Sequence, residues 1–189
     1  MKVLVAYATR HGATRGIAER IASTLQRRGL EVSLSPANQV RFAHRYGAFV
    51  IGSAAYAFHW LSEASELVRR ERDLFSQRPT WLFSSGPIGP DELDAKGRDQ
   101  RDASRPAEFS EFARLVQPRG MRVFFGAYDP DAPATSIPER LMKVFLRFVP
   151  SLRRALPAGD FRDWAEIEAW ADEIATELQP AEAGAAVPA

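Results

Sequence analysis

The chain opens on Val3-Leu4-Val5-Ala6-Tyr7-Ala8, an unbroken run of apolar, β-prone residues. A strand with one wet face alternates apolar and polar residues. A continuous run fits a strand covered on both faces, as at the centre of a parallel sheet. The period then changes. Ile17, Ala18, Ile21, Ala22 and Leu25 recur at spacings of three and four, and Gly29 closes the run. This predicts an amphipathic helix from about Ala13. The same exchange of patterns continues along the chain. It predicts strands over 30–34, 49–53, 81–85 and 122–128, and helices over 61–75, 109–116 and 165–178. Alternating strands and helices imply an α/β fold: a doubly wound, five-stranded parallel sheet in the order 2-1-3-4-5, with helices on both faces. The chain has 189 residues, 46% of them hydrophobic, which suits one domain over 1–178. Long insertions are expected at about 86–105 and 129–160, and a disordered tail at 179–189.

Composition narrows the chemistry. There is no cysteine, so disulfides, thiolate metal sites and cysteine nucleophiles are excluded. His11, His44 and His59 do not have the spacing of a metal site. The net charge is +1, which points to neither a nucleic-acid binder nor an acidic docking protein. The apolar opening run is too short for a signal peptide or a membrane span, so a cytoplasmic location is expected.

In sheets of this kind ligands bind beyond the carboxyl ends of the strands. Three loops therefore carry the functional expectations. The first is Thr9-Arg10-His11-Gly12-Ala13-Thr14. It offers two hydroxyls, a glycine that permits close backbone approach, and the N-terminus of a helix, whose unpaired donors and partial positive charge suit a phosphate. It is neither a Walker loop nor a Gly-x-Gly-x-x-Gly loop. The second is Ser53-Ala54-Ala55-Tyr56-Ala57-Phe58-His59-Trp60. Its aromatic density suits a flat ring, with Tyr56, Phe58 or Trp60 stacking and His59 near a polar edge or a substrate proton. Equally, Phe58 and Trp60 could fasten the following helix to the core. The third is Ser84-Ser85-Gly86-Pro87, a rigid turn with backbone groups to offer.

The stretch VAYATRHGATRGIAERIASTL resembles the opening of a flavodoxin, where a strand leads into a hydroxyl-rich loop that wraps the phosphate of FMN. The resemblance spans roughly 1–178. It implies that Thr9, Arg10, His11, Gly12, Ala13 and Thr14 line the phosphate. It further implies that Ser53, Ala54, Ala55, Tyr56, Phe58 and Trp60 face the ring from one side, and that Ser84, Ser85, Gly86 and Pro87 meet its pyrimidine side. His11 stands where many flavodoxins carry a hydroxyl. Electron-transfer flavodoxins often place a glycine in the second loop, whose peptide flips to meet flavin N5 during one-electron reduction. Here that position falls in Ala54-Ala55-Tyr56-Ala57. Alanine resists positive φ, so a lean towards two-electron chemistry is expected.

Gly126-Ala127, the Arg-Leu-Met-Lys of 140–143 and Asp163-Trp164 resemble the menaquinone-dependent protoporphyrinogen dehydrogenase branch of flavodoxin-like proteins. These are FMN enzymes that reduce a membrane quinone. The resemblance implies an oxidoreductase acting on a quinone or small organic acceptor. The alternatives are an FMN electron carrier docking on a redox partner protein, and a module that binds deazaflavin or no flavin. Carriers are typically strongly acidic, which a charge of +1 does not match. The basic amphipathic segment 137–149 either covers the core or rests on the inner face of a membrane. The charged loop 96–105 reads as a solvated mixture of Asp and Arg, or else as a lid.

Overall fold

The computed structural model describes residues 1–129, 132 and 158–179. The segment 137–149 and residues 180–189 lie outside them. The main sheet contains β1 (Lys2–Ala8), β2 (Glu31–Pro36), β3 (Ala48–Tyr56), the short β4 (His59–Trp60), β5 (Thr80–Ser85) and β6 (Gly120–Phe124). The parallel order is β2-β1-β3-β5-β6, with β4 folded back antiparallel on β3. Leaving β4 aside, this is the expected 2-1-3-4-5 order of an α/β flavodoxin-like sheet. The helices are α1 (Ala13–Arg27), α2 (Ser62–Arg70), α3 (Arg72–Gln77), α4 (Gln100–Ala103), α5 (Glu108–Val116) and α6 (Trp164–Leu178).

Successive strand residues point to opposite faces. Val3 and Val5 join Val50, Trp81 and Phe83 under α1 and α6, where Ile17, Ile21, Trp170 and Ile174 are buried. Leu4 and Ala6 join Phe49, Ile51 and Leu82 on the other face, under Leu67, Phe75, Phe109 and Phe112. The apolar run of β1 is continuous because both of its sides are core. α6 is capped by Asp163, whose carboxylate accepts the Ala165 and Glu166 N–H groups at 2.9 and 3.0 Å.

Two expected elements change shape. The helix foreseen over 61–75 breaks at Glu71 (φ −100°, ψ 16°), beyond which Phe75 packs on Phe49 with ring centroids 4.5 Å apart. Leu67-Val68 and Leu74-Phe75 lie seven residues apart, in phase with one continuous helix, so the spacing does not report the break. The strand foreseen over 122–128 stops at Phe124. The chain re-forms as β7 (Ala127–Tyr128), paired antiparallel with β8 (Gly159–Asp160).

Gly52, in the middle of β3, shows why a strand interior can require glycine: a Cβ there would run into the Phe83 ring. That ring is wedged beside Phe124 and Trp170 at centroid distances of 6.2 Å each. Gly52→Ala should therefore destabilise the protein by about 1–3 kcal/mol through overpacking, read as a lowered urea midpoint.

Candidate functional site

The sheet register sets the geometry. Ala8 of β1 pairs with Ser53 of β3, and Ser53 pairs with Ser84 of β5. The loops that follow leave the sheet side by side, as the fold requires for a shared ligand site.

In the first loop Gly12 is the N-cap of α1, with φ 85°, and no side chain caps the helix. Its N–H donates to Thr9 Oγ1 at 3.0 Å, and its carbonyl accepts from the Gly16 N–H at 3.0 Å. A Cβ on Gly12 would meet nothing within 4 Å, so the backbone angle, not crowding, calls for glycine. A cavity of about 660 Å³ opens at this helix start, lined by His11, Gly12, Ala13, Tyr128, Asp129 and Arg162 among others. Arg10 and His11 are exposed at the loop tip. Thr14, in contrast, is fully buried and donates to Ser85 Oγ at 3.3 Å.

The second and third loops divide their expected residues between lining and scaffold. Ser53 Oγ donates to the Ala54 carbonyl at 2.9 Å and accepts from the Leu61 N–H at 3.0 Å. Ser84 Oγ donates to the Ser53 carbonyl at 3.4 Å. Both serines are fully buried, and their hydroxyls brace the strand ends. Trp60 is 5% exposed, and its ring is held between Phe109 (5.7 Å) and Phe112 (5.3 Å). It belongs to the core and is not placed to stack on a ring. Tyr56 and Phe58 are 46% and 60% exposed and are the aromatic faces that this loop presents. Ala54 is buried and Ala55 half-buried. The Gly86 N–H donates to the Phe124 carbonyl at 3.1 Å, and the Gly126 N–H to the Pro87 carbonyl at 2.9 Å. The third loop is thus fastened to the end of β6.

The backbone of the second loop reaches positive φ without a glycine. Ala57 (φ 48°) and Phe58 (φ 65°) both sit in the left-handed region, forming the two-residue turn between β3 and β4 that pairs Tyr56 with His59. Positive φ at both central positions is the mark of a type I′ hairpin. The lack of glycine therefore does not keep this loop out of positive φ. The neighbours hold it there. His59 Nδ1 lies 3.0 Å from Glu108 Oε1, and the Trp60 N–H donates to Glu108 Oε2 at 3.1 Å.

Several site residues carry no local signal. Glu108 is an ordinary acidic residue in a first helical turn until the fold brings it to the hairpin. Arg162 donates to the Ala13 carbonyl at 3.2 Å, lies over the Trp164 ring at 4.3 Å, and forks onto Asp160 at 2.7 and 2.6 Å. These contacts join α1 to the β8 strand across the cavity mouth. The charged loop is mostly self-paired. Asp94 accepts from the Lys96 and Arg98 N–H groups and from the Arg98 side chain at 2.8–2.9 Å. Arg101 reaches outward, lying 3.6 Å from Glu166 on α6 and 4.9 Å above the Phe125 ring. Burial raises the Glu166 carboxyl above the ordinary range, with Arg101 opposing the shift.

A family model described as a flavodoxin domain matches residues 4–133. Among solved structures, a flavodoxin from the domain Archaea aligns at a TM-score of 0.57 and 15% identity, covering 95% of this chain and 99% of the other. Rubredoxin oxygen:oxidoreductase from Desulfovibrio gigas aligns at 0.55 and 15%, covering 94% of this chain and 36% of the other. At such identities the likeness speaks for the fold. A search of curated proteins finds no match. Among the described residues no helix is long and apolar enough to cross a membrane.

The Arg162 hydrogen bonds hold the Asp160 carboxyl below its ordinary range. A depressed carboxyl stabilises the fold above its unfolded pKa, and that contribution is lost as pH falls through the folded value. Asp160→Asn should cost stability at pH 7, and its deficit should shrink once pH drops below about 4. Urea midpoints of both proteins across pH 3–7 check this.

Proposed function

This chain belongs to the flavodoxin domain family, and from that premise we propose that it is an FMN-dependent oxidoreductase passing electrons in pairs to a quinone or small organic acceptor. The observation that carries the reading is the start of α1. A left-handed Gly12 and a helix without a side-chain cap stand at the edge of an open cavity, one strand away from a hairpin with two exposed aromatic rings. A doubly charged phosphate fits an uncapped helix start, and an apolar ring system fits Tyr56 and Phe58.

The residues present fit FMN, with a changed division of labour. Ala13 and the first-turn N–H groups would hold the phosphate where Gly12 leaves the approach open, with the exposed Arg10 adding a cationic donor and His11 a ring nitrogen. Thr9 Oγ1 accepts the Gly12 N–H and keeps its own proton to donate. Tyr56, Phe58 and the Gly86-Pro87 backbone would flank the ring. Thr14, Ser53, Ser84, Ser85 and Trp60 support these loops from within. FMN, when bound, supplies the redox chemistry, and the protein supplies position and electrostatics.

The chain's own groups favour paired electron transfer. The hairpin is tied at His59, Trp60 and the Phe58 carbonyl, which leaves little freedom for a peptide flip. His59 engages Glu108 through Nδ1, leaving Nε2 as the atom that would carry a proton to or from an acceptor. A net charge of +1 lacks the acidic steering field of a dedicated carrier. The resemblance to the menaquinone-dependent branch supports a quinone acceptor.

Two outcomes are expected. Gly12→Ala should weaken FMN binding about tenfold, because a bound phosphate would hold an alanine at a left-handed angle that costs about 1–2 kcal/mol; fluorescence titration measures it. The dithionite-reduced holoprotein should be reoxidised by a water-soluble naphthoquinone at a rate proportional to quinone, and potentiometry should show a single two-electron wave. Two separated one-electron waves, with no reaction towards quinone, would favour a carrier.

A further inference from the structure

Most type I′ turns use Asn-Gly or another pair that tolerates left-handed backbone. Here the pair is Ala57-Phe58, at φ 48° and 65°. Neither side chain repays the conformation by burial: both residues are exposed. A strained turn persists only where its surroundings over-determine it, and such turns cluster at functional sites.

What over-determines this turn is the start of α5. The Ala107 N–H donates to the Phe58 carbonyl at 2.9 Å. The Glu108 carboxylate, only 12% exposed, spends one oxygen on His59 Nδ1 at 3.0 Å and the other on the Trp60 N–H at 3.1 Å. The neighbouring acid, Glu111, is taken by a two-point bond from Arg69 at 2.7 and 2.8 Å, so the two carboxylates of this helix face have separate tasks. Below the turn, Trp60 is wedged against Phe109 and Phe112. The hairpin is therefore gripped on its β4 side, while Tyr56 and Phe58 point to solvent.

We propose that Glu108 is a positioning residue: it clamps the Ala57–Phe58 turn in its left-handed form and so presets the aromatic tip against which the cofactor ring is received. The presetting role rests on the FMN reading above. The clamp itself does not, and the two are measured separately.

In the cofactor-free protein, Glu108→Ala should speed amide exchange at His59, the residue that closes the turn by pairing with Tyr56, at least tenfold, with β1 and β5 amides unchanged. Glu108→Gln, which keeps one acceptor oxygen, should fall between. Installing the favoured turn pair in the Glu108→Ala background (Ala57→Asn with Phe58→Gly) should slow His59 exchange again, a rescue that a general packing role for Glu108 would not produce. In the holoprotein, Glu108→Ala should weaken FMN binding several-fold and alter the visible circular dichroism of the flavin. Unchanged His59 exchange in Glu108→Ala would overturn the clamp. Faster exchange with unaltered FMN affinity and dichroism would overturn the presetting role. If the parent protein takes up no FMN, the cofactor reading and the presetting role fail together, and the exchange data alone decide the clamp.

Discussion

Buried hydroxyls hold the functional end of the sheet together. Thr14 on α1 donates to Ser85 at the end of β5. Ser84 donates back to the Ser53 carbonyl on β3. Ser53 in turn accepts the Leu61 N–H at the entrance to α2. Each of these side chains is 0–6% exposed, so each bond lies where water cannot replace it and an unmade partner would be costly. The three loops emerge from this brace, and their spacing follows from it. The hydroxyls that looked like ligands are what fixes the position of the groups left to meet one.

Against that frame, two of the three left-handed non-glycine residues among those described fall in a single turn, the third being Gln117. The β3–β4 turn carries two consecutive left-handed residues without glycine, each at a cost of order 1 kcal/mol or more. It is held by charged and backbone hydrogen bonds from α5. The β1–α1 loop uses the opposite solution. It places a glycine where positive φ is needed and leaves open space above it. One loop is permissive by residue type and the other is forced by its neighbours.

The sequence made the large-scale order readable because burial writes itself into periodicity. The unbroken run of β1, the spacing of Ile17 to Leu25 and the α/β alternation mark a parallel sheet covered on both faces, for which 2-1-3-4-5 is the default order at five strands. Gly12 was also readable, as a glycine between a strand and a helix. The division between lining and scaffold was not. Ser53 and Ser84 sit at strand ends, where the direction of a side chain depends on register with neighbouring strands. Trp60 and Phe58 are both aromatic and two residues apart, yet the hairpin sends one into the core and the other to solvent. The hairpin itself is silent because Ala-Phe carries none of the turn chemistry that marks Asn-Gly. Glu108 and Arg162 act across about 50 and 150 residues of sequence, distances at which only the folded chain brings partners together.

The functional reading depends on this fold holding FMN. The most direct test is the visible absorption spectrum of the purified protein, followed by mass analysis of the released chromophore. A flavin spectrum with FMN as the released species is the predicted result. A colourless protein that stays colourless when FMN is added would contradict it, and would leave the sheet, its hydroxyl brace and the clamped hairpin serving some other ligand.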